Sequence, residues 1–181
     1  VRTSSSKRTT SAATGAATRS DDVDWCREAL KAGGGRARVL VVNTGNSNAF
    51  TGAAGIAKNR ATVASAIKES GCAAHEGFVS ATGVIGEPLP AHIVSGGVEH
   101  VWEKLAAPDW EKVANCIRTT DTFAKAAGEI VNLNRRNVAI VGVAKGSGMI
   151  QPNMATTLNY LFTDAALGPK VCQALISKLG D

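Results

Sequence analysis

The sequence AKGSGMIQPNMATTL, residues 144–158, contains two glycines, several small polar residues and a pair of threonines before the next apolar segment. Glycine lets the backbone adopt turns and close approaches that other residues resist. A threonine can act as a nucleophile once cleavage of the peptide bond before it frees its α-amino group to serve as the base. Taken alone, Gly146-Ser147-Gly148 is more typical of an ordinary turn after a strand. The interpretation of this segment therefore depends on the rest of the chain.

Three earlier segments also combine glycine with Asn, Ser or Thr, or place several hydroxyl side chains together. They are residues 41–52 (VVNTGNSNAFTG), 80–90 (SATGVIGEPLP) and 119–123 (TTDTF). Together with residues 144–158, and in this order, they resemble the glutamate N-acetyltransferase/ornithine acetyltransferase family of arginine biosynthesis. The resemblance covers about residues 24–175. Four motifs in the same order are far more specific than any one of them.

The resemblance implies a role for six positions. Thr156 matches the nucleophile, freed as a new N-terminus by self-cleavage of the Ala155–Thr156 bond. Thr82 and Gly83 match the pair that forms the oxyanion hole, where a hydroxyl and a backbone N–H can hold a developing negative charge.

Thr119 and Lys145 match positions that, with Thr156, bind the acylated amino-acid substrate. A lysine ammonium can neutralise an α-carboxylate, and a threonine hydroxyl can form a hydrogen bond with it. The alternatives without a role in substrate binding are a surface charge for Lys145 and a helix C-terminal cap for Thr119.

The activity that the resemblance implies is transfer of acetyl from N-acetylornithine to glutamate through an acetyl-threonine intermediate. It implies no cofactor, with acetyl-CoA as an optional second acetyl donor. The implied partners are the protein's own β chain after cleavage, in αβ pairs that associate further. Two alternatives remain open: an inactive fragment of such an enzyme, and a related self-cleaving aminopeptidase or amidase. Members of the family are longer than this chain, so the 181 residues alone are expected to be inactive.

Composition narrows the class of protein. A hydrophobic content of 44% with 19% charged residues is typical of a globular protein. No apolar run is long enough for a membrane span. The net charge of +5 comes largely from the first twenty residues. No basic helix or aromatic platform accompanies that charge, so neither nucleic acid nor membrane is predicted as a partner.

Cysteine and histidine spacing argues against a metal site. The four cysteines lie far apart without a CxxC pair, and no histidine belongs to a metal-binding motif. The cysteines are expected to be small buried or half-buried residues, reduced in a cytoplasmic protein. Neither a phosphate loop nor a dinucleotide-binding glycine motif is present.

The chain is predicted to divide into three parts. Residues 1–20 have the composition of a disordered Ser/Thr/Arg-rich tail, residues 21–155 form an α-chain-like domain, and residues 156–181 begin a β-chain-like region. Alternating helices and strands predict an α/β protein of layered sheets and helices. The resemblance refines this to the αββα type of N-terminal-nucleophile enzymes, incomplete at the C-terminus.

Individual elements follow from periodicity and turn residues. A helix capped by Asp22 or Asp24 runs to about Lys31, and a helix with Ile56, Val63 and Ile67 inward ends at Gly71. Strands are expected at 38–42, 77–81 and 158–162, loops at 43–52 and 82–83, and a hairpin of 129–133 with 137–143. Helices are expected after Pro90, Pro108 and Pro169. The first of these has Val94, Val98, Val101 and Leu105 inward, and the last has Val171, Leu175 and Leu179 inward.

Overall fold

The computed structural model describes residues 19–148 and 157–178, and the backbone of Lys7–Arg8 and of residues 179–180. The strands in chain order are β1 (Lys7–Arg8), β2 (Arg36–Ala37), β3 (Val39–Asn46), β4 (Gly77–Val84), β5 (Lys125–Leu133), β6 (Arg136–Lys145) and β7 (Leu158–Thr163). The helices are α1 (Asp21–Gly33), α2 (Gly52–Ser70), α3 (Ala91–Trp102), α4 (Trp110–Cys116) and α5 (Pro169–Gly180), with a 3₁₀ turn at Ala74–Glu76.

The first sheet is a parallel pair of β3 and β4, joined by the crossover helix α2. The register runs from Val39 opposite Gly77 to Gly45 opposite Gly83. Parallel strands need such a crossover, and helices then cover the sheet. Side chains of α1, α2, α3 and the two strands form two adjoining apolar clusters.

The second sheet is antiparallel, in the order β5-β6-β7. Asn134 and Arg135 form the β5–β6 turn with φ of 51° and 64°, as expected for a two-residue hairpin whose backbone twist matches that of the strands. Helix α4 packs on this sheet through a cluster that contains Ala114 and Val143. The predicted α/β class and the predicted hairpin are confirmed, and the strand at 158–162 and the helices after the three prolines are observed as well.

The start of α1 differs from the prediction. The helix begins at Asp21 after Ser20, and no side chain caps it. Asp22 is buried, and its carboxylate accepts a hydrogen bond from Asn48 Nδ2 at 2.9 Å. A tertiary contact therefore uses the carboxylate that local sequence assigned to capping.

Part of one predicted loop and the whole of another belong to strands, whereas residues 47–51 form a loop between β3 and α2 as predicted. Residues 43–46 continue β3, and Thr82 and Gly83 lie within β4. Polar residues and glycine are typical of turns, but here Gly45 and Gly83 stand opposite each other and allow the ladder to continue. The candidate oxyanion pair is thus part of a sheet.

The buried face of α2 is unexpectedly polar. Lys58, Asn59 and Thr62 are buried, whereas Ile56, which was predicted to point inward, is 42% exposed. Other residues predicted to be inward or half-buried are exposed as well, namely Val101, Val171, Leu175 and Cys116. Periodicity identified the helices correctly but not which neighbours would cover them, and Leu105 lies beyond the end of α3. The side chain of Leu179 lies outside the described residues.

Part of the predicted disordered tail is a strand. The backbone of β1 pairs antiparallel with β2, Lys7 opposite Ala37 and Arg8 opposite Arg36. Residues 1–6 and 9–18 lie outside the described residues. Within the described part of the chain, no helix is long and apolar enough to cross a membrane.

Candidate functional site

Three candidate residues from distant parts of the sequence meet where the two sheets approach each other. Lys145 ends β6, and its Nζ donates hydrogen bonds to Thr82 Oγ1 of β4 at 2.9 Å and to Thr119 Oγ1 at 2.7 Å. Lys145 is 7% exposed, Thr82 is half-buried and Thr119 is exposed. The sequence-based grouping of these residues therefore corresponds to one contiguous cluster that opens to solvent on the Thr119 side.

The Lys145 ammonium forms no ion pair with a described residue. Among the described residues, no carboxylate lies within 4.0 Å of Lys145 Nζ. Each threonine oxygen accepts from the ammonium, so each hydroxyl hydrogen is directed away from Lys145. The cluster presents positive charge and two oriented hydroxyl donors, an arrangement that favours an anionic group.

Gly83, the other candidate oxyanion residue, is required by the close approach of β3 and β4. Its φ is 131°, and a Cβ at this position would lie 2.6 Å from Asn46 N and overlap the carbonyl of Gly45. No L side chain fits such a site without moving the neighbouring backbone. The tight contact fixes the strand immediately after Thr82.

Gly146 has a similar steric reason at the start of the segment that leads to Thr156. Its φ is 148°, and a Cβ would lie 2.7 Å from Thr157 Cγ2. Lys145 stands opposite Leu158 in the β6–β7 ladder. The two ends of the intervening segment are therefore in contact, whereas no described residue beyond its neighbours in the chain lies within 4 Å of a Cβ placed on Gly148.

Ala155 and Thr156, the predicted cleavage site and nucleophile, lie outside the described residues, as do residues 149–154. Thr157, which is bonded to Thr156, is described. Its contact with Gly146 places the C-terminal end of the segment beside Lys145.

Asp121 lies next to the Lys145–Thr82–Thr119 cluster, and the sequence assigned it no role. Its buried carboxylate accepts hydrogen bonds from Lys125 Nζ at 2.5 Å, Gly146 N at 2.8 Å and Thr119 N at 3.4 Å. Burial alone would raise the pKa of Asp121, but these hydrogen bonds outweigh burial and hold the pKa below its ordinary value. The feature of the sequence that could have identified Asp121 as a site residue was its position inside the TTDTF motif.

A second polar cluster lies beneath the first sheet. Lys58 Nζ donates to Asn43 Oδ1 at 3.1 Å and lies 3.8 Å from Asp22 Oδ1. Burial lowers the pKa of Lys58, and the nearby Asp22 opposes that shift. Asn43 Nδ2 donates to Asn46 O at 3.1 Å. These bonds tie α1 and α2 to β3 and support the strand end next to Gly83.

Metal binding finds no support in the described ranges, where no three His, Cys, Asp or Glu side chains are grouped to hold an ion. The four cysteines are free thiols, with Cys26 and Cys72 buried.

The model of one protein family, the ArgJ family, matches residues 1–181. This match is wider than the resemblance found by motif, which began near residue 24. The arginine biosynthesis bifunctional protein ArgJ of Zymomonas mobilis is 50% identical over 164 residues, or 88% of this chain and 38% of that protein. The protein of the same name from Bradyrhizobium diazoefficiens is 48% identical over 154 residues, 85% of this chain and 37% of that protein. This chain thus spans little more than a third of the length of these curated relatives.

Solved structures agree with the sequence comparison. A crystal structure of ArgJ from Bacillus halodurans has a TM-score of 0.70 at 30% identity, covering 81% of this chain and 78% of that one. An ornithine acetyltransferase from Mycobacterium tuberculosis, solved in complex with ornithine, has a TM-score of 0.62 at 29% identity, covering 81% and 77%. The family predicted from the four motifs is confirmed: this chain belongs to the ArgJ family.

Proposed function

We propose that this chain supplies the acyl-transfer site of an enzyme that moves acetyl from N-acetylornithine to glutamate. The observation that carries the proposal is the cluster of Lys145, Thr82 and Thr119, joined by two hydrogen bonds across three separate segments. Family membership makes arginine biosynthesis the context of the reaction, and the ornithine bound to the Mycobacterium tuberculosis relative supports ornithine as the leaving amine.

In the proposed reaction, Thr156 Oγ1 first attacks the carbonyl carbon of Ala155, and the acyl group moves from the Thr156 nitrogen to its oxygen. Water then hydrolyses this ester, which leaves a carboxylate on Ala155 and a free amino group on Thr156. Thr156 Oγ1 then attacks the acetyl carbonyl of N-acetylornithine, and its proton passes to that amino group. Collapse of the tetrahedral intermediate breaks the acetyl C–N bond, ornithine leaves with the proton, and acetyl remains on Thr156 as an ester. The amino group of glutamate then attacks this ester and gives a proton to the Thr156 amino group. Collapse of the second tetrahedral intermediate breaks the ester C–O bond, the proton passes to Thr156 Oγ1, and N-acetylglutamate leaves.

Thr82 and Gly83 are proposed to hold the negative oxygen of each tetrahedral intermediate. The hydroxyl of Thr82 accepts a hydrogen bond from Lys145, so its own hydrogen remains free to donate to that oxygen. A nearby ammonium polarises the hydroxyl and strengthens such a bond. Loss of one donor of this kind typically costs about 3 kcal/mol of activation free energy.

Lys145 and Thr119 are proposed to bind the amino-acid carboxylate of the substrate, with Thr156 completing the binding site. An ammonium has three N–H donors, and two of those on Lys145 are directed to the threonines. Within residues 19–148 and 157–178, no other partner takes the third donor or the exposed hydroxyl of Thr119, and both are proposed to bind an anionic ligand. Burial of the charge strengthens its attraction for a carboxylate.

The experiment uses a hybrid protein, in which residues 1–181 are followed by the part of the Zymomonas mobilis relative that lies beyond its matched segment. Mass spectrometry of the purified hybrid should show two chains, the second beginning at Thr156. Acetyl transfer from N-acetylornithine to glutamate should accompany cleavage. Thr156→Ala should remain a single chain without transfer, whereas Thr156→Ser should cleave because it keeps a hydroxyl nucleophile.

The same hybrid separates the alternatives. Cleavage followed by hydrolysis of amides or peptides, without acetyl transfer, would replace the proposal by an amidase or aminopeptidase. An uncleaved hybrid that retains its fold would remove the mechanism. Glutamate acetylation with acetyl-CoA as the donor would extend the proposal to both acetyl donors. Size-exclusion chromatography of the cleaved hybrid tests the proposed αβ pairing, because paired chains elute together.

A further inference from the structure

We propose that Asp121 is a positioning residue that fixes the start of the 146–157 segment against the Lys145–Thr119 pair. The inference rests on the proposed function, because that segment contains the Ala155–Thr156 bond. It adds a residue that acts through its hydrogen bonds to Gly146 and Thr119.

Three donors converge on the carboxylate of Asp121. Lys125 Nζ and Gly146 N both lie within hydrogen-bond distance of Asp121 Oδ1, and Thr119 N donates to Oδ2 at 3.4 Å. The Asp121 side chain is 1% exposed, so water has little access to the carboxylate. One buried group therefore joins the Thr119 segment, the start of β5 and the end of β6.

These bonds hold the backbone of Thr119 and Gly146 in place on either side of Lys145. Lys145 lies between Thr119, its hydrogen-bond acceptor, and Gly146, its neighbour in sequence. Fixing the backbone of both residues fixes the distance over which Lys145 Nζ reaches Thr119 Oγ1. Gly146 also contacts Thr157, so the same carboxylate restrains the residue next to the predicted nucleophile.

A carboxylate is needed at position 121 because all three of its partners are hydrogen-bond donors. Ionised Asp accepts with both oxygens, whereas Asn has one accepting oxygen and an NH₂ group that only donates. In Asp121→Asn the NH₂ group would face at least one of the three donors. The isosteric variant should therefore release Thr119, Gly146 or Lys125 from the carboxylate site, while it keeps the size of the side chain.

The first test uses the 181-residue chain itself and amide hydrogen exchange measured by NMR. Asp121→Asn should speed exchange of the Gly146 amide by tenfold or more, with little change for amides in α1. The matched control is Asp109→Asn, the same substitution at a carboxylate that accepts from Lys112 N at the start of α4. Unchanged exchange at Gly146 in the folded variant would overturn the proposal.

The second test uses the hybrid protein and the rate of cleavage. Asp121→Asn should slow cleavage by tenfold or more, whereas Asp109→Asn should match the unsubstituted hybrid. Lys125→Met removes the ammonium but leaves the bonds to Gly146 and Thr119, so it should change the rate by less than threefold. An equal loss in Lys125→Met and Asp121→Asn would assign the effect to the ion pair and overturn the positioning role.

These readouts separate the two proposals. A hybrid that fails to cleave at all removes the proposed function, and the exchange experiment on the 181-residue chain still decides what Asp121 restrains. A hybrid that cleaves equally fast with and without the Asp121→Asn substitution removes only the positioning role.

Discussion

The ammonium of Lys145 donates a hydrogen bond to Thr119 Oγ1 at 2.7 Å and so joins the end of β6 to the segment between α4 and β5. Lys145 lies at the last position of its strand, where the backbone turns away and the side chain remains among the sheets. Its second bond, to Thr82, extends the same connection to β4. A single buried charge thus links three segments that the sequence separates by up to 63 residues.

Lys145→Met in the hybrid protein should lower kcat/KM for N-acetylornithine by about 100-fold. A charge-assisted hydrogen bond contributes up to about 3 kcal/mol, and about 1.4 kcal/mol corresponds to a factor of ten. Steady-state assays of acetyl transfer measure the effect, with Lys68→Met, an exposed lysine paired with Glu99, as the control. A loss below threefold would mean that Lys145 does not bind the substrate carboxylate.

Thr82→Val in the hybrid should lower kcat by about 100-fold and change KM for N-acetylornithine much less. The Thr82 hydroxyl is assigned to charge that develops only in the transition state, so its loss should leave ground-state binding nearly intact. Thr82→Ser keeps the hydroxyl and should retain most of the activity. An effect on KM alone would reassign Thr82 to substrate binding.

Gly83→Ala should destabilise the 181-residue chain by about 3 kcal/mol, because the new Cβ overlaps the backbone of β3 and the φ of 131° is strained for alanine. Gly97→Ala is the matched control. Gly97 is exposed in α3, and no atom of a described residue beyond its neighbours in the helix lies within 4 Å of the added Cβ, so alanine should stabilise the helix by about 0.5 kcal/mol. Urea unfolding measures both, and equal stability of the two variants would contradict the close β3–β4 contact.

The chain should lose stability as pH rises from about 8 to 11, in part through Cys26. Burial raises the pKa of the Cys26 thiol from 9.0 to about 11. The thiol of the unfolded chain therefore loses its proton first, and the stabilisation that is complete below pH 9 disappears as pH rises through the folded pKa. Burial raises the pKa of Tyr160 to about 12, which adds to the same trend.

The measurement is the free energy of unfolding in urea at several pH values. Cys26→Ala should reduce its alkaline decline by an amount on the order of 2 kcal/mol, while Cys116→Ala, at an exposed thiol, should leave the decline unchanged. Parallel pH profiles for all three proteins would show that Cys26 does not titrate as described.

At acid pH, Asp121 should make the opposite contribution. Its folded pKa lies below the ordinary value of 3.8, so the unfolded chain binds the proton first as pH falls. The stabilisation is present above about pH 4 and is lost as pH falls through the folded pKa. Asp121→Asn should therefore be less stable than the unsubstituted chain at pH 7, with a gap that narrows below pH 4. A gap that stays constant down to pH 2 would contradict the lowered pKa.

Several features of the site were predictable because their signals are local. The residues Thr82, Gly83, Thr119 and Lys145 could be selected from the sequence because they lie in motifs that, in their order along the chain, resemble those of a known family. Their roles remain predictions, as does the nucleophile Thr156. Asp121 could not be assigned, because an aspartate within TTDTF has the same local pattern whether it faces water or three buried donors.

The sequence by itself determined the family, the α/β class and most elements of the fold. Hydrophobic periodicity, turn residues and capping are properties of a few neighbouring residues, so they can be read without knowing what packs against them. The β5–β6 hairpin and the start of α4 at Asp109, whose side chain accepts from Lys112 N, follow in this way.

The tertiary structure decided which polar groups meet and which faces are covered. Lys58 and Lys145 are both buried, each with oxygen partners on other elements. Ile56, on the same helix as Lys58, is exposed. A buried polar group is stable only when hydrogen bonds replace those it made with water. Those partners come from distant segments, so their identity depends on how the sheets and helices pack together.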